Sequence, residues 1–363
     1  MEAILDIYTD YLQVSFGQAT ATGLSSMVGG AVSHDQITRF LSNNDFNSKD
    51  LWLSAKDLVR EHETDSACLI FDDSISEKPY TDENDLIAWH YDHTKGYSVK
   101  GINIITAFYH TQAEGQKSPL RVPVGFEPIL KTTRYCERAT QKEKRISPVT
   151  KNQLLQQMFT QALQNQLKFT YVLSDSWYSS SDNMRFIDRH KKTFIFDLKT
   201  NRMVAANEQE RNASRWTRID ELPIPTHTPT QVWLKDLSIP VLLVKQVFTN
   251  KDSSTGVRYL VSNDLNMSYE IFENTYKKRW SIEEYHKSIK QNTALQKSPT
   301  RTVQTQRNHL FASILAYVKF EKYKIATNLN HFALKAKLYL VATKAAFNEL
   351  NTLKLTGCNL VPA

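Results

Sequence analysis

The 363-residue sequence predicts a mixed α/β fold in which a β-rich segment interrupts the core. Short apolar runs rich in β-branched and aromatic residues begin at Ala67 and predict strands. Residues 200–267 have a different character, because proline-containing turns alternate there with apolar runs that predict further strands. Helical periodicity resumes near Ser268, with breaks near Pro299 and Asn330.

Residues 1–65 predict an N-terminal helical region. Within it, ATGLSSMVGGAVSHDQITRFLS (21–42) contains an apolar-periodic segment, a break at Gly29-Gly30 and a second helix that opens near Ser33. This pattern resembles a helix-turn-helix, which would make the region a candidate for DNA binding. Short helical hairpins are also common in proteins that do not bind DNA.

The first part of the core is predicted over residues 66–199. A polar, basic loop is expected at 131–145, and a helix at 147–166 with Ser147 as its cap and Pro148 in its first turn. The predicted strands of this part are 67–74, 101–110, 121–130, 169–176 and 192–199.

The change in composition divides the chain into five predicted segments. The stretch NKDSSTG inside the β-rich segment predicts a hairpin turn. The predicted boundaries are 1–65 for the N-terminal helical region, 66–199 for the first part of the core, 200–267 for the β-rich insertion, 268–330 for the second part of the core and 331–363 for a C-terminal helical tail.

Positive charge is concentrated late in the chain. Residues 276–345 hold 14 Lys and Arg against 3 Asp and Glu, a net charge of +11, whereas the rest of the chain holds 31 against 35, a net charge of −4. Such a concentration is typical of a surface that binds a polyanion such as nucleic acid. A solvated helical face rich in lysine would give the same pattern.

The cysteine content bears on the cellular compartment. Cys68, Cys136 and Cys358 are far apart and form no CxxC motif, which argues against a disulfide scaffold and against a cysteine-rich zinc site. The first residues are acidic where a secretion signal is basic, and no run of about 18 apolar residues predicts a membrane span. We therefore expect a cytoplasmic protein with no membrane partner.

Two aspartates follow short apolar runs that predict buried strands. CLIF leads directly to Asp72, and YVL leads through Ser174 to Asp175. Open α/β sheets commonly place their chemistry at the carboxyl ends of strands, although a turn or a helix cap is the commoner role of a single aspartate. Asp73 competes with Asp72 for this position, and neighbouring side chains on a strand point to opposite faces.

The stretch YKKRWSIEEYHKSIK (276–290) has helical spacing and an unusually polar face. Four of its side chains fall within an arc of about 60° at helical spacing. One acid among bases suits a carboxylate that binds a cation while its neighbours contact phosphates, and an exposed i,i+4 ion pair between Arg279 and Glu283 is the alternative. The four residues are Tyr276, Arg279, Glu283 and Lys290, and Trp280 and Lys287 flank them.

Two aspartates and one glutamate brought together would repel one another unless cations neutralise them. Carboxylate oxygens with open coordination positions suit Mg²⁺ or Mn²⁺. Two such ions about 4 Å apart can activate a water or a 3′-hydroxyl group and stabilise the leaving oxygen in phosphoryl transfer. Asp72, Asp175 and Glu283 are therefore predicted as the catalytic, metal-binding residues of a nuclease or strand transferase.

Four spaced motifs resemble the insertion-sequence-four family of bacterial transposases, which carry a DDE catalytic triad. The pattern Y-x2-R-x3-E-x6-K at 276–290 is similar to the signature of that family. DDS at 72–74 fits its first-aspartate motif with Asp72 as the ligand, and VLSDSWYSS fits its second-aspartate block with Asp175. TQRNHLFASILAYVKFE resembles the helix after the signature, and the similarity covers roughly residues 30–325.

The resemblance implies a ribonuclease-H-like domain with a β-rich insertion between the second aspartate and the glutamate. It also implies cut-and-paste transposition with two divalent ions, acting on double-stranded DNA at terminal inverted repeats and at a target. Two protomers would act as a homodimer in a synaptic complex, associated with the bacterial nucleoid. The DNA contacts implied are Tyr276, Arg279, Trp280, Lys287 and Lys290, and the candidates for a base-contacting tryptophan in the insertion are Trp216 and Trp233.

Two other functions are open on the sequence. A ribonuclease-H-like nuclease without strand transfer would use the same acids, and an inactive derivative of a transposase would still bind DNA. All three acids and all four signature residues are present, which argues against an inactive derivative. The sequence has no GxxxxGK[ST] motif, so an ATP-driven helper activity is not predicted.

Overall fold

The computed structural model describes residues 2–138, 140–250 and 252–355. The chain forms two compact units. We name the first, residues 1–45 with 287–363, the helical unit, and the second, residues 46–286, the sheet unit.

Helices and strands alternate through the described residues, as the predicted α/β class requires. The helices are α1 (Glu2–Val14), α2 (Ala21–Met27), α3 (His34–Asn43), α4 (Ser48–His62), α5 (Lys151–Gln164), α6 (Ser181–Arg189), α7 (Glu208–Asn212), α8 (Tyr269–Lys277), α9 (Trp280–Asn292), α10 (Val303–Thr327) and α11 (His331–Leu355). The strands are β1 (Cys68–Glu77), β2 (Ala88–Asp92), β3 (Tyr97–Thr111), β4 (Leu120–Pro128), β5 (Thr133–Glu137), β6 (Lys142–Ile146), β7 (Tyr171–Ser174), β8 (Thr193–Leu198), β9 (Met203–Ala205), β10 (Thr217–Arg218), β11 (Thr230–Leu234), β12 (Pro240–Thr249) and β13 (Thr255–Ser262).

The core of the sheet unit is a mixed sheet with β1 near its centre. β1 pairs antiparallel with β3 on one side and parallel with β7 on the other, and β7 pairs parallel with β8. β3 also pairs with β2 and β4. The run from Cys68 to Phe71 is fully buried, which explains why four consecutive apolar residues form a central strand. This arrangement confirms the predicted ribonuclease-H-like mixed sheet.

The β-rich insertion continues the same sheet. β13 pairs antiparallel with β8, and β12, β11, β9 and β10 follow in that order towards the edge. The predicted turn at NKDSSTG joins β12 to β13, where Thr249 lies opposite Thr255. The insertion therefore shares one hydrogen-bonded sheet with the strands that carry Asp72 and lead to Asp175.

The prediction of a loop over residues 131–145 is wrong. β5 and β6 form an antiparallel hairpin in which Thr133 lies opposite Ile146. Most of its side chains are exposed, so the apolar signal that marks a buried strand is missing from the sequence. Backbone pairing and a cross-strand ion pair between Arg134 and Glu143, 3.2 Å apart, hold the two strands together.

Helix α5 begins later than predicted. Its N-cap is Thr150, whose Oγ1 accepts a hydrogen bond from the Gln153 amide at 3.2 Å, while the Gln153 side chain accepts one from the Thr150 amide at 2.8 Å. This capping box satisfies two backbone amides at once. Ser147, the predicted cap, instead donates its hydroxyl to the carbonyl of Val149 at 2.8 Å.

The signature stretch is divided between two helices, so the prediction of one continuous helix is wrong. Between α8 and α9, the amide of Arg279 donates to the carbonyl of Tyr276 at 2.9 Å, and the amide of Ile282 donates to the carbonyl of Arg279 at 3.1 Å. Bonds that span three residues are those of a 3₁₀ turn. Tyr276 therefore lies in the last turn of α8, Arg279 lies between the two helices, and Glu283 lies on α9.

The helical unit is built around α10, which contacts α1, α3 and α11. Tyr8 in α1 and His309 in α10 form a buried hydrogen bond of 2.8 Å. The predicted pair of short helices is confirmed: α2 and α3 are joined through Gly29 and Gly30, whose φ angles of 61° and 78° suit glycine, and Ser33 caps α3. A search of the described helices found none with the length and apolar character that a membrane span requires.

We expect Gly101→Ala to destabilise the sheet unit by about 1–3 kcal/mol, the usual cost of overpacking. A Cβ atom at Gly101 would lie 2.4 Å from the carbonyl oxygen of Ser76 and 2.9 Å from the Cα of Glu77, so the backbone of β1 would have to move. Urea denaturation measures the loss. Gly125→Ala in β4 is the matched control, because the nearest atom there is 3.5 Å away. Equal stability of the two variants would contradict the close packing of β1 against β3.

Candidate active site

Asp72 and Asp175 occupy neighbouring positions on two central strands of the sheet. β1 and β7 run parallel, and Phe71 lies opposite Ser174 in their last pair. An aspartate follows each of these two residues, so the parallel register places both carboxylates side by side. Asp175 comes directly after β7, whereas β1 continues past Asp72 to Glu77, so the prediction that the first strand ends at Asp72 is wrong. The structure thus brings together two residues that are about one hundred positions apart in the sequence.

The third acid, Glu283, approaches from α9. The Arg279 guanidinium lies between the two acids from different elements: its Nη1 is 3.4 Å from Oε1 of Glu283 and 3.8 Å from Oδ2 of Asp72. Only 15% of the Arg279 side chain is exposed. The i,i+4 ion pair between Arg279 and Glu283 that the alternative predicts is therefore present, but Arg279 also lies beside Asp72 in a largely enclosed position.

Asp72, Glu283 and His286 form a compact cluster of possible ligands. One ligand atom from each lies within 4.8 Å of the others. Burial raises the pKa of Asp72 well above its ordinary range, and the charges of Asp175 and Glu283 raise it further. Burial also raises the pKa of Asp175. Both carboxyls are therefore harder to ionise than exposed ones, and a bound cation would favour their charged forms.

Asp73 is directed into a different set of contacts. Its Oδ2 is 2.7 Å from Nζ of Lys151, and its Oδ1 accepts a hydrogen bond of 2.6 Å from the hydroxyl of Tyr178. Burial alone would raise its pKa, but Lys151, Tyr178 and Asn103 hold the pKa of Asp73 below the ordinary value. Asp72, and not Asp73, faces Glu283.

Tyr276 lies beneath the acids and is buried. Its hydroxyl donates to the carbonyl of Ser174 at 3.3 Å. The ring lies between two guanidinium groups, with the Cζ of Arg258 5.0 Å and that of Arg279 5.8 Å from its centroid. Tyr276 thus supports the end of the strand that leads to Asp175, and contact with DNA by this residue stays a prediction.

An exposed aromatic side chain with two lysines lies next to the second aspartate. Trp177 is 44% exposed, and the Nζ atoms of Lys151 and Lys199 each lie 5.2 Å from its ring. His93 packs against the same ring with centroids 5.2 Å apart. Sequence reasoning missed this group, which we name the Trp177 platform (Trp177, Lys151, Lys199 and His93). Trp177 is nevertheless only two residues after Asp175 in the quoted motif.

The remaining predicted DNA contacts are distributed over both units. Trp280 begins α9 and is 63% exposed, so its ring is accessible to a ligand. Lys287 and Lys290 belong to the helical unit, where the Lys287 ammonium lies 5.2 Å from the ring of Phe332. Trp233, a candidate for contacting a base, is buried in β11. DNA contacts by these residues stay predictions.

The donor set fits a divalent cation. Two ligands on opposite sides of one ion, each about 2.0–2.2 Å from it, lie about 4–4.4 Å apart. The separation of up to 4.8 Å in the cluster is therefore close to that of a coordinated ion. Two half-buried carboxylates and a buried imidazole provide both the negative charge that attracts a cation and the ligand atoms.

Two family models match the chain. The model described as a transposase DDE domain matches residues 149–319, which include Asp175 and Glu283. The model described as a DDE superfamily endonuclease matches residues 2–232, more than half of the chain, which include Asp72 and Asp175. The chain belongs to the DDE superfamily of endonucleases.

Between them the two matches cover all three acids that the structure brings together. DDE endonucleases use divalent metal ions, in agreement with the donor set of Asp72, Glu283 and His286. A comparison with curated proteins found no match.

In this DDE endonuclease, Asp72→Asn should raise the melting temperature of the metal-free protein at pH 8, by roughly 2–4 °C for each kcal/mol gained. The folded-state pKa of Asp72 is raised, so the wild type loses stability as the pH rises from the unfolded value towards the folded one. Asparagine does not ionise, and Asp72 becomes protonated as the pH falls. The difference in melting temperature between the variant and the wild type should therefore shrink at low pH. Calorimetry at several pH values measures it.

Asp82→Asn is the matched control for charge, because Asp82 is exposed. It should change the melting temperature little at any pH. A metal-free Asp72→Asn protein that is less stable than the wild type at pH 8 would contradict the electrostatic description of the site.

Proposed function

We propose that this DDE endonuclease is a transposase of the insertion-sequence-four type, which cuts DNA at terminal inverted repeats and joins the freed 3′ ends to target DNA. The observation that carries the proposal is the clustering of Asp72, Asp175 and Glu283 beside the central strands β1 and β7. The Y-x2-R-x3-E-x6-K pattern around Glu283 supports the assignment to this family.

The protein's residues divide the catalytic work. Asp72, Asp175 and Glu283 would hold the metal, and two bound Mg²⁺ or Mn²⁺ ions would supply charge neutralisation and activation of a water or 3′-hydroxyl. Arg279 lies beside both Asp72 and Glu283 and places the scissile phosphate against them. Tyr276 holds the strand end before Asp175 in place through its hydrogen bond to a backbone carbonyl.

Double-stranded DNA is the proposed partner because the sheet unit carries exposed aromatic and basic side chains and the chain has a strongly basic segment. The Trp177 platform combines an exposed ring with two lysines, which suits a phosphate backbone and an unstacked base. Trp280 adds a second exposed ring. The net charge of +11 over residues 276–345 supplies further phosphate contacts, and the α2–α3 pair is a candidate for binding the terminal repeats.

We propose that two protomers act together in the synaptic complex. Helix α11 leaves several large apolar side chains exposed, which a monomer rarely does along one helix. This surface is the candidate for contact between protomers. The residues are Tyr339, Leu340, Val341 and Phe347.

A nuclease without strand transfer is the second candidate, because the longer of the two family matches is to an endonuclease. The experiment incubates the protein and Mg²⁺ with a supercoiled target plasmid and a labelled duplex that carries the inverted repeats flanking the gene. Labelled DNA joined to the plasmid supports the transposase. Cuts without joined products indicate the plain nuclease, and binding without cuts indicates an inactive derivative.

The control variants test whether the three acids are responsible. Asp175→Asn should abolish both cutting and joining. Asp182→Asn makes the same change at a side chain that is 77% exposed at the start of α6, and it should leave both activities unchanged.

A further inference from the structure

His286 lies three residues after Glu283 on α9, so the two side chains share one face of the helix. A ring nitrogen of His286 lies within 4.8 Å of carboxylate oxygens of both Asp72 and Glu283. The imidazole is buried, with 7% of the residue exposed. It is thus an enclosed nitrogen donor in the acidic cluster, and Asp175 is not a member of the same group of three.

The packing around His286 fixes the ring. Tyr285 next to it is fully buried, and the two ring centroids are 5.3 Å apart. Tyr285 is in turn held against Phe108 of β3, with centroids 5.0 Å apart. An imidazole that is held by the core cannot move far from the acids, which is the property expected of a pre-organised ligand.

We propose that His286 is a nitrogen ligand of one divalent ion in this site, with Asp72 and Glu283 as its oxygen ligands. The proposal deepens the proposed function and rests on it. A mixed nitrogen and oxygen donor set binds Mn²⁺ more tightly than Mg²⁺, because imidazole suits transition metals and Mg²⁺ prefers oxygen. The site is therefore selective for a transition metal, whereas three carboxylates alone would discriminate less between Mn²⁺ and Mg²⁺.

The alternative role of His286 is to position Glu283 without touching the ion. Activity measurements do not separate the two roles, because both predict a slower enzyme. A spectroscopic readout does, since a nitrogen bound directly to Mn²⁺ gives a nuclear modulation of the electron spin echo that a more distant nitrogen does not give.

The experiment therefore records the spin echo of Mn²⁺ bound to the purified protein without DNA. The wild type should show nitrogen modulation, and labelling its histidines with ¹⁵N should change the modulation frequency. His286→Gln should bind Mn²⁺ at least about tenfold more weakly. This factor is the lower end of the loss in metal affinity that follows when residues around a metal ion are replaced. Its remaining Mn²⁺ signal should lack the modulation. The ¹⁵N measurement uses the wild-type protein, so its result is informative even if His286→Gln does not fold.

Two further variants assign the signal to this site. Glu283→Gln should weaken the modulated signal, because it removes a ligand of the same ion. His190→Gln changes an exposed histidine at the end of α6 and should keep the modulation. Loss of modulation in His190→Gln but not in His286→Gln would overturn the proposal.

The failure of this inference differs from the failure of the proposed function. Tight Mn²⁺ binding with oxygen ligands only would overturn the role of His286 and leave the transposase intact. A wild type that binds no Mn²⁺ would overturn both the ligand role and the metal-dependent function.

Discussion

Replacing Glu283 with glutamine should abolish DNA cleavage and leave DNA binding intact. Glutamine keeps the shape of the side chain but removes the negative charge that would help Asp72 to bind a cation. The cleavage rate should therefore fall by about a thousandfold or more, which is the scale of the loss when one member of a catalytic group is replaced. Binding depends on phosphate contacts and counterion release from basic residues, which this change does not touch. Removing a negative charge should maintain or raise affinity.

Gel shifts and Mg²⁺-dependent cleavage of the same end-containing duplex measure the two effects. The adjacent Glu284→Gln is the matched control, because Glu284 is 53% exposed and pairs with Arg121 outside the acidic cluster. It should cut and bind like the wild type. A folded Glu283→Gln protein that no longer binds the duplex would show that binding and catalysis are not separable in this way.

Arg279→Ala should slow cleavage by about a hundredfold, because a misplaced scissile phosphate costs about that much. It should also destabilise the metal-free protein by about 1–3 kcal/mol. This cost lies between that of losing an exposed ion pair and that of breaking a fully buried one. The guanidinium is the positive charge nearest to Asp72 and Glu283 in the cluster, and without it their repulsion is unopposed. Divalent cations should restore most of the lost stability but not the rate.

Thermal melting with and without Mg²⁺, beside cleavage assays, measures both effects. Arg218→Ala removes the same kind of side chain at a position that is 47% exposed, pairs with Asp220 and lies outside residues 276–345, so it serves as the control. If Arg279→Ala melted earlier yet cut normally at low temperature, Arg279 would be a structural residue and not a phosphate contact.

The central strands and the two aspartates could be predicted because their signals are local. CLIF and YVL are buried apolar runs, and each leads to an acid within one or two residues. The parallel register of β1 with β7 then follows from the α/β pattern. The same reasoning could not decide between Asp72 and Asp73, because that choice depends on Lys151 and Tyr178, which are far away in the sequence.

The division of the signature into α8 and α9 could not be predicted, because no glycine or proline marks the turn at Arg279. Tertiary contacts, including the bond from Tyr276 to the carbonyl of Ser174, accompany the break. The role of His286 escaped notice for a similar reason. Its place beside Asp72 depends on how α9 packs against the sheet, and helical spacing relates it only to Glu283.

The distance along the chain between the three acids has a consequence for protein synthesis. A ribosome that adds about 5–20 residues per second needs roughly 10–40 s to pass from Asp72 to Glu283. Throughout that time the nascent chain carries the first acid without the third, so the candidate site is incomplete. A chain that terminates before Glu283 would therefore lack one acid of the site, and the site can assemble only when the sheet unit is almost fully synthesised.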